Sequence, residues 1–528
     1  MQENVQSNDL ALLGQSVEQL LQELPERISS PLWRWAREAP QALALCDQLG
    51  QRCTYAQLAQ RVERCREQLH ARGIRPRDRV LLLNENCVAV LAWVLALSEL
   101  DAVSVVVNAR LSAQEIDRIR QHCEPRLSAF FLGSAAAAEH WQRLRSQQQS
   151  EEIRQDDADV GLLFDPGSVP LELDQEAVQE RVCVMIYTTG TTGEPKGVML
   201  SHRNILYVAA ITSVLRGMVP SDRIYCALPI SHIFGLSAVF LASLYRGAAL
   251  ILADRFDAAG CLRTLHEEKA SGMLGVPTMF ARLIEYARGQ GVDSDAMPRL
   301  RFLYAGGAPL DATIKRETEA LFRLPLLNAY GMTESGPTLC QVRWNEPLES
   351  CSVGRPLPGL ELRIVDSEGR PVTPGEVGEL HVRGPNIMRG YYRNAVATAQ
   401  VIDPEGFLNT GDLVRVDAGG NVHIAGRSKE LIIHSGFNVY PPEVEAIIAQ
   451  HPDVLLCAVI GEPSDGNELV VAYVQCKAGK TLTAQALQNF IRPLLSPYKR
   501  PSRIEILTQL PTAPSGKVLK ARLRDLRG

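Results

Sequence analysis

From about residue 30 to 340, helical and short β-rich patterns alternate, and this restricts the fold more than any other property of the chain. Strand-like Arg79–Leu83 precedes helix-like Val88–Leu97 and strand-like Val103–Val107. Later, strand-like Ala248–Leu252, helix-like Cys261–Lys269 and strand-like Gly272–Val276 repeat the order. Strands separated by helices build βαβ units, with parallel strands buried under helices. The expected class is therefore α/β, with stacked, mostly parallel sheets in a large N-terminal unit.

The texture changes near residue 350. Short strands, Leu360–Val365, Glu379–Val382, Val414–Val416 and Val422–Ile424, alternate with turn signals such as Ser367-Glu368-Gly369 and Ala418-Gly419-Gly420. A polar joint, Gly426-Arg427-Ser428-Lys429-Glu430, precedes a last stretch with helix and strand patterns of its own. The expected organisation is a large domain over 1–426 with a β-rich subdomain at about 350–426, a hinge at 427–429, and a small mobile α+β domain over 430–528.

Composition removes several function classes. The net charge of -5, with no basic stripe, argues against a nucleic-acid partner. The 12 cysteines contain no CxxC pair, so a metal or disulfide framework is not expected, and a reducing, cytoplasmic setting is. The longest apolar run, Cys87–Leu97, is too short to span a bilayer. Met1–Asp9 has no signal-peptide pattern, and Leu10–Ile28 carries apolar residues at helical spacing, which predicts one amphipathic helix packed on the body.

Chemistry first shows at Tyr187-Thr188-Thr189-Gly190-Thr191-Thr192-Gly193-Glu194-Pro195-Lys196-Gly197, which follows the apolar strand-like run Val182–Ile186. Glycines let a backbone approach oxyanions closely; Thr hydroxyls and backbone N–H groups donate to phosphate oxygens; a lysine adds charge. This is not a Walker A loop, because Gly197 stands where Ser or Thr would follow the lysine. The full wording resembles the signature of the adenylate-forming superfamily, which includes acyl-CoA synthetases, 4-coumarate-type ligases, luciferases and peptide-synthetase adenylation domains. Further segments appear in that superfamily's order, so the resemblance covers residues of about 30 to 525.

The resemblance implies ATP, Mg²⁺ and CoA, and it implies roles residue by residue. Lys196 and Thr188, Thr189, Gly190, Thr191, Thr192 and Gly193 would hold phosphates. In Asn328-Ala329-Tyr330-Gly331-Met332-Thr333-Glu334, Tyr330 and Gly331 would border adenine, Thr333 would meet the α-phosphate, and Glu334 would hold the cation. A hard cation does want carboxylate and phosphate oxygens. Asp412 suits the two ribose hydroxyls because a carboxylate accepts from both, and Arg427 would be the second ribose contact. Tyr304-Ala305-Gly306-Gly307-Ala308-Pro309 would wall the adenine site through Gly306 and Ala308. His232, in Leu228–Gly235, would gate the acid pocket. Lys429 falls on the hinge, Gly436 on the pantetheine tunnel, and Lys517 on the adenylating lysine.

The implied reaction has two steps: a carboxylate displaces pyrophosphate from ATP to give acyl-AMP, and a thiol then captures the acyl group. No protein nucleophile is needed. Ser231–Ala238 contains no acid to pair an α-ammonium, so the substrate is expected to lack one. Gly235, Gly306 and Gly307 beside Phe234 are expected to leave room for an apolar tail or ring. The Ser435–Pro441 wording most resembles that of fatty acyl-CoA synthetases, which often carry an apolar residue where Ile433 stands, and this resemblance implies a medium- or long-chain fatty acid. An aryl acid of the coumarate or benzoate type, an acyl carrier protein as the thiol acceptor, luciferase-like oxidation and an inactive adenylate-binding module stay open as alternatives.

Overall fold

The structure is a computed structural model that describes residues 9–48, 50–156, 158–165, 167–170, 177–189, 195–292, 300–434, 437–464, 467–512 and 518–525. Two large sheets dominate the described residues. In one of eight strands, Arg79–Asn84 lies between Val103–Asn108 and Leu127–Phe131, all parallel. Val182–Thr189 pairs parallel to Val103–Asn108, and the sheet continues antiparallel through Pro195–Ser201 to the edge strand Gly390–Tyr391. In the other, of nine strands, Gly272–Gly275, Phe302–Ala305 and Leu326–Gly331 run parallel side by side. Parallel interior pairs with antiparallel edges meet the expected class. The strand Leu326–Gly331 carries Tyr330 and Gly331 at its C-terminal end.

The helices cover these sheets according to their apolar faces. Val88–Glu99 is apolar nearly all round, and Val90–Ser98 is buried, as a helix enclosed on all sides requires. Tyr55–Ala71 is two-faced: Leu58, Val62, Cys65 and Leu69 turn inward, and Thr54 and Gln57 close a reciprocal cap at its start.

The single helix expected over 10–28 is broken in two. Gly14 adopts φ 71° and ends a first short turn over 9–13. Ser16 then caps a new helix, Val17–Glu23. Pro25 follows, and it drives Leu24 out of helical geometry to ψ 135°. The apolar residues still pack as their spacing predicts, with Leu20, Leu24 and Ile28 buried in the main core. Asp9 is tied down by Arg343, whose Nε lies 2.9 Å from its carboxylate.

Beyond residue 350 a four-stranded antiparallel sheet forms from Glu361–Val365, Gly378–Arg383, Leu408–Val416 and Val422–Arg427. After the single turn Ser428–Glu430, the strands Val454–Ser464, Asn467–Cys476 and Arg503–Leu507 pack on the helices Pro441–Ile448 and Ala484–Ile491 around a core of Val444, Ile448, Val459, Val474 and Leu487. All the cysteines are free thiols, eight of them buried. Among the described residues no helix is long and apolar enough to cross a membrane.

Candidate active site

The strand Val182–Thr189 and its hairpin partner Pro195–Ser201 carry the two ends of the phosphate-type loop. Thr188 stands opposite Lys196, and Tyr187 opposite Gly197. Gly190, Thr191, Thr192 and Gly193 lie outside the described residues, as do Gly436 and Lys517. The Lys196 ammonium sits 4.9 Å from the centre of the Tyr391 ring, a cation–π contact. The Tyr391 hydroxyl donates to Glu334 Oε1 at 2.8 Å. Lys196, Tyr391 and Glu334 are thus one cluster, although they come from three distant parts of the chain.

Glu334 and Thr333 are buried in the turn Thr333–Ser335. The Met388 N–H donates to the Glu334 carbonyl at 2.9 Å, and the Asn386 amide donates to the Ser335 carbonyl at 2.8 Å. Burial and the neighbouring Glu334 push the Tyr391 phenol far up, so Tyr391 stays a neutral donor. Among the described residues no three His, Cys, Asp or Glu side chains group to hold a metal. A lone buried carboxylate suits Mg²⁺ that takes its other ligands from phosphates and water.

A second cluster lies just before that turn, at the C-terminal end of the strand Leu326–Gly331. The Tyr330 hydroxyl donates to Asp412 Oδ2 at 2.5 Å, and Arg427 Nε pairs with Asp412 Oδ1 at 3.1 Å. Asp412 and Arg427 face each other across adjacent antiparallel strands, so sheet register alone brings them together. Burial and Asp412 hold the Tyr330 phenol well above its ordinary range. Gly331 cannot be replaced here: a Cβ would stand 1.7 Å from the Pro337 carbonyl oxygen.

The acid-side residues meet differently. Phe234 begins a π-helix, Phe234–Leu241, with all eight residues buried. A Cβ on Gly306 would lie 3.2 Å from the Phe234 ring, and one on Gly307, at φ 77°, 3.8 Å from it. Phe234, Gly306, Gly307 and Val276 therefore form one wall, with half-buried Ala308 just beyond it. Gly235 does not open the pocket as expected. A Cβ there would lie 2.5 Å from the Pro229 carbonyl oxygen, so this glycine serves close backbone approach. His232 is exposed, with Nδ1 accepting from the Phe234 N–H at 3.2 Å. Beside it, Leu228, Pro229, Ser231, Val276, Thr278 and Met279 line a cleft of about 170 Å³ that Thr512 also borders. Lys429 is exposed in the turn Ser428–Glu430, at the junction between the two groups of sheets.

Sequence reasoning missed Tyr391 and Asn386. Both lie more than fifty residues from their partners around Glu334, and their local sequence carries no motif that points there.

Residues 32–392 match the AMP-binding enzyme family, and residues 443–517 match the AMP-binding enzyme C-terminal domain. The chain belongs to this family. It is 34% identical to a feruloyl-CoA synthase of Amycolatopsis sp over 93% of this chain and 97% of that protein. It is 31% identical to a 4-coumarate-CoA ligase 1 of Narcissus pseudonarcissus, over 89% and 88% of the two chains. Among solved structures, ATP-bound MatB from Rhodopseudomonas palustris superposes with a TM-score of 0.81 at 29% identity, covering 94% of this chain and 98% of that one. The protein is an AMP-forming acid–thiol ligase that uses ATP, Mg²⁺ and CoA. Its substrate is a carboxylic acid.

Proposed function

We propose that this ligase activates an aryl acid of the hydroxycinnamate or benzoate type and passes the acyl group to CoA. The observation behind this reading is the packing of Phe234 against Gly306 and Gly307, which bounds the acid side with an apolar aromatic wall and no charge. The relatives are consistent with it, since feruloyl- and coumaroyl-type ligases are among them. The medium- or long-chain fatty acid favoured by the Ser435–Pro441 wording draws no support from those relatives.

In this reading Asp412 and Arg427 hold the ribose, with Tyr330 fixing the carboxylate that accepts from it. Thr333 and Lys196 contact the phosphates, and Glu334 supplies a ligand to Mg²⁺, which offsets charge developing on the phosphates. His232, exposed beside the Ser231–Thr278 cleft, gates the acid. We further propose that the unit over 430–528 turns about Lys429 between the two half-reactions, and that Lys517 acts in the first. Thr512, the described residue nearest to Lys517 on its N-terminal side, already borders the acid-side cleft.

The test is acid-dependent pyrophosphate release with Mg·ATP across hydroxycinnamic, benzoic and medium- to long-chain fatty acids, with CoA present. Preferential release and thioester formation with the aryl acids is the expected outcome. Preference for the fatty acids sinks the aryl reading, and adenylate formation without CoA thioester moves the acceptor to a carrier protein.

A further inference from the structure

We infer that His122 is a positioning residue for the phosphate-binding groups, acting through Tyr187 and Tyr392. The inference rests on the reading of Lys196 and Glu334 as contacts for the triphosphate and its cation. His122 lies in the last turn of the helix Ala113–Cys123, outside every motif identified in the sequence. Its Nδ1 shares a 2.7 Å hydrogen bond with the Tyr187 hydroxyl. Its ring also meets Tyr187 and Tyr392 edge-on, at 5.6 and 5.5 Å between ring centres.

Those two tyrosines hold the strand that carries Lys196. The Tyr187 ring lies on Gly197, where a Cβ would stand 3.1 Å from Tyr187 Cζ. The Tyr392 N–H donates to the Gly197 carbonyl at 2.8 Å. Lys196 precedes Gly197, and Tyr391 precedes Tyr392. Successive side chains of an extended strand point to opposite faces, and Tyr391, which ends its strand, and Tyr392, in the turn after it, likewise pack into separate cores, Tyr392 with Tyr187. The His122 side of this strand pair is therefore the back of the Lys196–Tyr391–Glu334 cluster. Arg79 closes the same back face, with its guanidinium 5.3 Å from the centre of the Tyr392 ring. Burial pushes the Tyr187 phenol far up, so its hydroxyl keeps its proton for this bond. One imidazole thereby fixes both backbone segments whose front faces present Lys196 and the Tyr391 partner of Glu334.

The experiment compares two half-reactions of the full-length enzyme. One is pyrophosphate release from ATP with the best acid. The other is thioester formation from chemically prepared acyl-AMP and CoA, which involves no triphosphate. His122→Ala is expected to raise the KM for ATP about tenfold in the first, the size of one lost hydrogen bond, and to leave the second within about twofold. His122→Asn, which keeps a polar atom near the Nδ1 position, is expected to recover most of the loss. Tyr187→Phe should reproduce most of the His122→Ala loss, since it keeps only the His122–Tyr392 ring contact, and the double variant should be no worse than His122→Ala. Equal losses in the two half-reactions, no loss in either, or failure of Asn to rescue would overturn the inference. Where His122→Ala does not fold, His122→Asn against Tyr187→Phe decides alone: the inference stands if only the phenylalanine variant loses ATP affinity, and falls otherwise. Lys196→Ala separates this inference from its premise. If Lys196→Ala leaves the KM for ATP unchanged, the phosphate reading falls and takes the inference with it. If Lys196→Ala raises it and His122→Ala does not, the inference alone falls.

Discussion

The nucleotide end and the acid end of this site are built on different physics. At the proposed nucleotide end, polar partners stand at fixed distances: Tyr330 on Asp412, Arg427 on Asp412, Tyr391 on Glu334. In the proposed reading these directional bonds, made around the buried carboxylates of Asp412 and Glu334, place charge where phosphate and ribose require it, and leave little room for variation. At the proposed acid end a phenyl ring packs against two glycines and Val276, and in that reading the wall sets volume rather than charge. A rigid polar half can serve any substrate that passes through acyl-AMP. A half defined by shape can be retuned to another acid without disturbing the first.

The contrast breaks or sharpens under four changes. The largest effect is expected from Glu334→Gln, which keeps an acceptor for Tyr391 but removes the charge. Adenylate formation should fall ~10³-fold, with a steeper requirement for Mg²⁺, as loss of a preorganised electrostatic group predicts; a loss under fivefold at saturating Mg²⁺ would remove Glu334 from the cation site. Next, Asp412→Ala leaves Tyr330 and Arg427 without their shared partner. The kcat/KM for ATP should fall ~10²-fold for every acid alike, since a charged hydrogen-bonded pair is lost at the ribose. A loss that depends on which acid is present would mean that the two ends are not independent.

Phe234→Ala should do the reverse. The KM for ATP should stay within about twofold while the preference between aryl and bulkier acids shifts about tenfold, the discrimination typical of an apolar pocket. An unchanged acid profile would show that Phe234 does not touch the substrate.

The smallest effect on catalysis is expected from a residue of neither end. His202 is fully buried, its Nδ1 accepts from the Ile28 N–H at 3.2 Å, and burial pushes its pKa from 6.5 down to about 3. Between those values the unfolded chain binds a proton that the folded chain does not, so this group adds stability above pH 6.5 and loses it as pH falls toward 3. Its share of the slope is about 1.4 kcal/mol per pH unit. Denaturant titrations of His202→Gln should show a flatter acid limb; an unchanged limb would assign that slope to other groups.

How much of this was legible beforehand differs by element. The βαβ alternation, the strand before the phosphate-type loop and the four short strands after residue 350 follow from local apolar period and turn residues. The helix over 10–28 was misread because apolar spacing continues through Gly14 and Pro25, which interrupt the backbone and not the pattern. Gly235 was misread because a glycine in a motif does not reveal whether the missing Cβ makes space for a ligand or for a carbonyl oxygen. Tyr391 and His122 were invisible because their partners are 57 and 65 residues away, beyond any local pattern.

The sequence by itself determined the class of fold, the family and the residue types proposed to meet ATP, because those depend on local periodicity and on short ordered motifs. The tertiary structure alone decided which motif residues share a cluster, which glycines pack against Phe234, and what stands behind Lys196. Those are questions of distance across strands, and distance is set by sheet register and packing, which no short stretch of sequence contains.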